Sequence, residues 1–229
     1  MKKTLFSVLF LTILFFAGGD RAVAGSIGDP GATLEKGTWA LGPEISGVSR
    51  EISDRDNVRY DTESWRLLLK GSYGIRDWLE VFGRLGGATF KIRGTPFDSS
   101  LGIAAGGGLK GTFLDPPAHP LRYSLGGQFL YIQTDNQGAT AKWFEYDIWL
   151  GASYKDLKNL IPYGGVVYSR VDGKLENFNP QPGLDKFKSP TAAGIFFGID
   201  WPLSKKTNLG IEARLFSENS GTLSLMYRF

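Results

Sequence analysis

The residues that could do chemistry are few and widely spaced. One histidine is present, His119, in the turn-like run Asp115-Pro-Pro-Ala-His-Pro120. Nothing beside it supplies the serine and acid of a nucleophilic triad, so it reads as a solvated turn residue. Glu145 and Asp147 lie two residues apart, hence on one face of a strand. A carboxylate-pair hydrolase would need their pKa values driven apart; pairing with arginines is the better reading. Asp54, Asp56, Asp61 and Glu63 gather oxygen ligands of the kind calcium takes, but without the spacing and glycine of a calcium loop, which favours a hydrated loop. Gly106-Gly107-Gly108-Leu109-Lys110-Gly111 matches a dinucleotide fingerprint in letters only, because it falls inside a strand pattern with no helix after it. The expectation is a protein that is not an enzyme, with no catalytic residue, no metal site and no cofactor.

What remains is charge recurring at every second residue, and that spacing belongs to strands. Period-two alternation marks ten segments, roughly 37–49, 62–75, 78–90, 100–113, 121–134, 142–155, 161–173, 191–203, 208–217 and 222–229. Most reach the roughly 9–11 residues that a tilted strand needs to cross a bilayer. The connections alternate in length. Those at 76–77, 115–119, 156–159 and 204–207 are short, whereas those at 51–61, 91–99, 135–141 and 174–190 are longer. The tight turn at Glu218 to Gly221, on the long-loop side, breaks the rule and keeps eight strands open as the alternative. The fold class expected is all-β, a closed antiparallel transmembrane β-barrel.

Composition agrees. Glycine, at 31 residues, argues against long helices, and the mean hydropathy of −0.13 suits a barrel whose polar interior offsets an apolar exterior. With no cysteine there is no disulfide framework. Lys2 and Lys3, the apolar run Leu5 to Ala17 and the small-x-small site Ala22-Val23-Ala24 read as a secretory signal peptide, residues 1–24, leaving a barrel domain at 25–229. Cleavage there leaves 23 basic against 22 acidic residues, a net charge of +1 that suggests no nucleic-acid partner. Whether residues 25–36 stay outside or enter the lumen is open.

One face of the strands is greasy, for example Trp65, Leu67 and Leu69, or Ile195, Phe197, Ile199 and Trp201. Tyr163, Val167 and Val171 are assigned to it as well. The other face carries Glu44, Arg66, Lys70, Glu80, Arg84, Lys110, Arg122, Glu145, Asp147, Arg170, Asp200, Glu212, Arg214 and Arg228. A basic side chain facing lipid at mid-bilayer costs about 2–4 kcal/mol, so these residues are expected to line a lumen of mixed sign. A water-soluble barrel would reverse the two faces. Arg50, Arg59, Lys91, Arg93, Lys142, Lys186 and Lys188 fall near the outer rim, where cations meet lipid phosphates. Phe178 and Phe187 stand in the loop at 174–190, either as a binding surface or packed over the mouth.

The chain ends on Leu225-Met226-Tyr227-Arg228-Phe229. With the signal peptide, the alternating strands and the short turns, this resembles the small outer-membrane β-barrel proteins of Gram-negative bacteria, over essentially the whole mature chain. The resemblance implies export through the inner membrane and residence in the outer membrane. It also implies contact with outer-membrane lipid including lipopolysaccharide, and recognition of Tyr227 and Phe229 by the barrel-assembly machinery. It says little about activity. Two functions stay open: a narrow, porin-like polar path for small solutes or ions, and a non-conducting structural or surface-binding barrel whose lumen ion pairs plug.

Overall fold

A computed structural model describes residues 27–157, 159–178 and 184–229; the signal peptide expected at 1–24 lies outside them. The strands are β1 (Trp39–Ser53), β2 (Arg59–Arg76), β3 (Leu79–Ala88), β4 (Lys91–Ile92), β5 (Gly102–Leu114), β6 (Leu121–Asn136), β7 (Ala139–Tyr154), β8 (Ile161–Glu176), β9 (Lys186–Lys188), β10 (Ala193–Pro202), β11 (Thr207–Leu215) and β12 (Asn219–Arg228). Ten of them form an antiparallel wall, and β4 and β9 are short additions in loops. The last strand pairs with the first, from Leu41 opposite Tyr227 to Ser49 opposite Asn219, and the Phe229 amide donates to the Trp39 carbonyl at 2.9 Å. The sheet is therefore a closed ten-stranded barrel, which removes the edge an open sheet would leave.

The rim that carries both barrel ends, here the proximal rim, has the short turns after β2, β5, β7 and β10. The distal rim has the longer connections after β3 and β8, but the loop expected at 51–61 shrinks to 54–58 and the one expected at 135–141 is absent. Residues 135–141 form a hairpin around Gln137 and Gly138, with φ of 48° and 91°. Two successive positive φ values give the turn whose twist matches that of paired strands, so β6 and β7 run on past the expected loop. On the opposite side β10, β11 and β12 stop short. Above them β9 pairs with both β8 and β1 through Lys188, opposite Asp172 and Ser53.

The two faces are those of a membrane barrel. Trp65, Leu67 and Leu69 are 57, 55 and 51% exposed on the outside, whereas Arg66 and Lys70 between them are 4 and 6% exposed. Outward apolar side chains recur on all ten strands, far more than a soluble monomer shows in one contiguous surface. Strand β8 corrects the assignment. Tyr163, Val167 and Val171 face inward, and Val166, Tyr168 and Arg170 face outward. Both phases of Tyr163-Gly-Gly-Val-Val-Tyr168 are apolar, so alternation there selects neither face. The charge that decided it, Arg170, lies beyond the apolar belt and pairs with Asp172 at 2.9 Å.

Inward aromatic rings fill the barrel by lying over glycines of the neighbouring strand. A Cβ on Gly108 would come 2.7 Å from the Phe82 ring, and one on Gly126 would come 2.1 Å from that of Trp149. These glycines in the wall are room for rings.

Candidate functional site: the filled lumen

The lumen holds three layers. The proximal layer is the chain's own segment 27–36, which enters from the proximal rim without joining the ladder. The Ile27 and Gly28 amides both donate to the Glu212 carboxylate, each at 2.9 Å. Leu34 donates to Glu80 at 3.2 Å, Lys36 donates to Asp77 at 2.9 Å, and Lys110 donates to the Asp29 carbonyl at 3.1 Å. Ile27 packs with Trp149, Tyr163, Val167 and Phe196.

The central layer is an ion lattice. Glu44 accepts from Arg84 at 2.7 Å and lies 3.7 Å from Lys70. Arg84 donates to the Gln128 amide oxygen at 2.7 Å, and the Gln128 amide nitrogen donates to Asp147 at 2.6 Å. Asp147 accepts from Arg214 at 2.8 Å, which also reaches Glu212 at 3.2 Å and Glu218 at 3.3 Å. Glu218 pairs in turn with Arg50. Arg66 forks onto Glu145 at 2.8 and 2.5 Å, and the Trp143 indole donates to the same carboxylate at 2.9 Å. Bidentate contacts of this kind fix geometry as well as charge. Lysine and arginine also lie over an aromatic face: Lys70 and Arg84 are 4.7 and 4.9 Å from the Phe82 ring centre.

The distal layer is apolar. Phe90, Ile92, Phe97, Leu184 and Phe187, from the loops, pack onto inward-facing Leu68, Ile132, Trp143 and Val171. Phe187 stacks on Phe90 at 5.8 Å, and Phe178 meets Phe97 edge-on at 5.4 Å. Three voids lined by lumen residues measure about 10, 70 and 10 Å³. A single water needs roughly 10–15 Å³ by this measure.

Glu44, Arg66, Lys70, Glu80, Arg84, Lys110, Asp147, Asp200, Glu212 and Arg214 are buried inside, and Glu145 is nearly so. Arg122 sits at the proximal mouth, 3.0 Å from Asp115, and Arg228 lines the 70 Å³ void with Asp200. Arg170 is the exception, outside the barrel. Two residues of the lattice escape sequence reading. Arg50, expected on the outer rim, is buried against Glu218, and Glu218, expected in a tight turn on the long-loop side, folds inward with it. The β11–β12 turn carries Ser217 and Glu218 inward just after Phe216, whose side chain stays exposed and whose φ of 80° is unusual for a bulky residue. Asp54, from the oxygen-rich loop, instead accepts the amides of Asp56 and Val58 and shapes its own turn. His119 accepts from the Leu121 amide at 3.3 Å in the turn after β5.

No protein-family model matches the chain, and no curated protein matches it. Among solved structures it is similar to the COG4313 outer membrane channel from Pseudomonas putida F1, with a TM-score of 0.51 and 11% identity, over 90% of this chain and 99% of that one. The translocator domain of the autotransporter NalP from Neisseria meningitidis gives a TM-score of 0.44 and 10% identity, over 87 and 91% of the two chains. The attachment invasion locus protein Ail of Yersinia pestis gives 0.36 and 15%, over 85 and 99%. The fold is that of the Gram-negative outer-membrane β-barrels.

Proposed function

We propose that the protein is an integral outer-membrane barrel, sealed at rest, whose working surface is its distal rim on the outside of the cell. The observation that carries this reading is the filled lumen, in which three voids measure about 10, 70 and 10 Å³. An apolar exterior on every strand supports residence in a bilayer. Tyr227 and Phe229, outward on the closing strand, are then the residues offered to the assembly machinery.

A second reading is a gated path for small solutes or ions. It is favoured by one feature: segment 27–36 is held by side-chain contacts, not by the ladder, and can leave without breaking the wall. The channel named above lends its printed description to this reading. Planar-bilayer recording separates the two. The sealed barrel gives no stepwise current, and deletion of residues 27–36 leaves it silent because the ion lattice and the mouth cluster remain. Steps from the deletion alone would establish the gated path. Steps from the intact protein would overturn the sealed reading.

A further inference from the structure

The outward face of the distal rim carries a cleft of about 540 Å³ where β10, β11 and β12 stop short. Arg59, Arg170 and Lys188 supply its cations, Tyr168 its floor, and among the described residues no acidic one lines it. Arg59 and Arg170 have partners in Glu51 and Asp172, but both pairs are exposed, and exposed pairs hold weakly. Lys188 has no ion-pair partner among the described residues.

The cleft sits at a sharp change of surface. Along the outward face of β8 the order is Val166, Tyr168, Arg170, Asp172, with successive members about 6.6 Å apart along the strand. Val166 and Tyr168 end the apolar belt, with the aromatic at the boundary where amphipathic rings settle. Phe216 extends the same apolar edge: Tyr168 pairs with Ala193, Ile195 pairs with Leu215, and Phe216 follows, exposed, on the next turn. A ligand that fits must present anionic groups above and acyl chains below, in one molecule.

We infer that this cleft binds the phosphorylated sugar headgroup of an outer-leaflet glycolipid, its acyl chains lying along Val166, Tyr168 and Phe216. The inference rests on the outer-membrane reading and assigns to it one site and one lipid class. Arg170, which its charge alone would have placed in the lumen, becomes a ligand-facing residue.

The test is native mass spectrometry of the refolded barrel in detergent, with purified bisphosphorylated lipid A, its dephosphorylated form, and glucosamine 1-phosphate as the soluble headgroup. The wild type should retain one bisphosphorylated lipid. The Arg59→Ala/Arg170→Ala/Lys188→Ala variant should bind it about a hundredfold more weakly, as three membrane-surface cations imply. Tyr168→Ala should weaken lipid A binding and leave the soluble headgroup unaffected. Lys205→Ala/Lys206→Ala, at the proximal rim, should match the wild type. Equal binding of phosphorylated and dephosphorylated lipid, or an unchanged triple variant, would overturn the site. Capture of the soluble headgroup as tightly as the lipid would make it a free-phosphate site and also overturn it. Insertion into vesicles, scored separately by resistance to unfolding on an unheated gel, tests the membrane reading itself. A chain that inserts but does not discriminate removes only the site.

Discussion

Replacing Arg214 with methionine is the sharpest test of the lattice. Five cations (Arg50, Arg66, Lys70, Arg84, Arg214) face five carboxylates (Glu44, Glu145, Asp147, Glu212, Glu218), so the layer is neutral. Arg214 alone touches three of those acids and is 3% exposed. Methionine fills much of its volume and leaves one negative charge uncompensated. Glu212 keeps two backbone amides and the Tyr163 hydroxyl, and Glu218 keeps Arg50, but Asp147 loses its paired cation. At an effective dielectric near 20, one such contact is about 4 kcal/mol of gross attraction. Removing one partner of a buried pair typically costs about 3–5 kcal/mol. The expected loss is therefore about 3–5 kcal/mol, read as the shift in equilibrium urea unfolding in phospholipid vesicles by tryptophan fluorescence. Adding Asp147→Asn restores neutrality, since Gln128 can still donate to residue 147, and should recover at least about 1 kcal/mol. A loss below about 1 kcal/mol for Arg214→Met would mean that the lattice is hydrated, and the sealed lumen would be wrong. A double variant no better than the single would show that packing, not charge, is responsible.

Three further outcomes follow from the same geometry. Phe187→Ala should cost about 3 kcal/mol in the same unfolding assay, because it opens a cavity under the distal loops, and should leave the barrel non-conducting. Val166→Cys should react with a bilayer-partitioning maleimide while Val167→Cys stays protected; the reverse pattern would return β8 to the phase its sequence suggested. The Lys155 ammonium donating at 2.6 Å, with Arg122 nearby, holds the Asp115 carboxyl below its usual pKa. Its contribution is complete above the ordinary carboxylate range and is lost as pH falls through the lowered value. The wild type should therefore exceed Asp115→Asn by less than about 1 kcal/mol at pH 7, with the gap closing below about pH 4.

The wall was legible because charge and grease alternate where both are present. In Trp65-Arg-Leu-Leu-Leu-Lys70 the apolar letters alone are ambiguous, since Leu68 also faces inward, but Arg66 and Lys70 fix the phase. The same logic reaches Trp143 and Trp149, which share a face with Glu145 and Asp147 and fill the lumen. It fails on β8, where Arg170 lies above the apolar belt and a charge is free to point either way. It fails again for Arg50 and Glu218, 168 residues apart in sequence, whose contact depends on a turn folding inward. Segment 27–36 left no signal because its anchors are backbone amides, which every sequence has; the information lies in Glu212 and Glu80, and those read equally well as partners for lumen cations.

The order of the layers favours the sealed reading more strongly than any one contact. They lie in series along the axis, so a path needs all of them open at once. Withdrawing segment 27–36 removes two amides from Glu212 and one from Glu80, yet Arg214 and Lys110 still face those acids. The lattice above stays neutral, and a neutral, mutually paired layer has no excess charge to draw an ion through it. Above that, the mouth cluster sets a layer of packed aromatic and aliphatic side chains in the way of a hydrated solute. A gate of this construction would have to move wall-borne arginines and loop-borne phenylalanines together, whereas the cations of the distal rim stand outside all three layers and need no motion to meet a ligand.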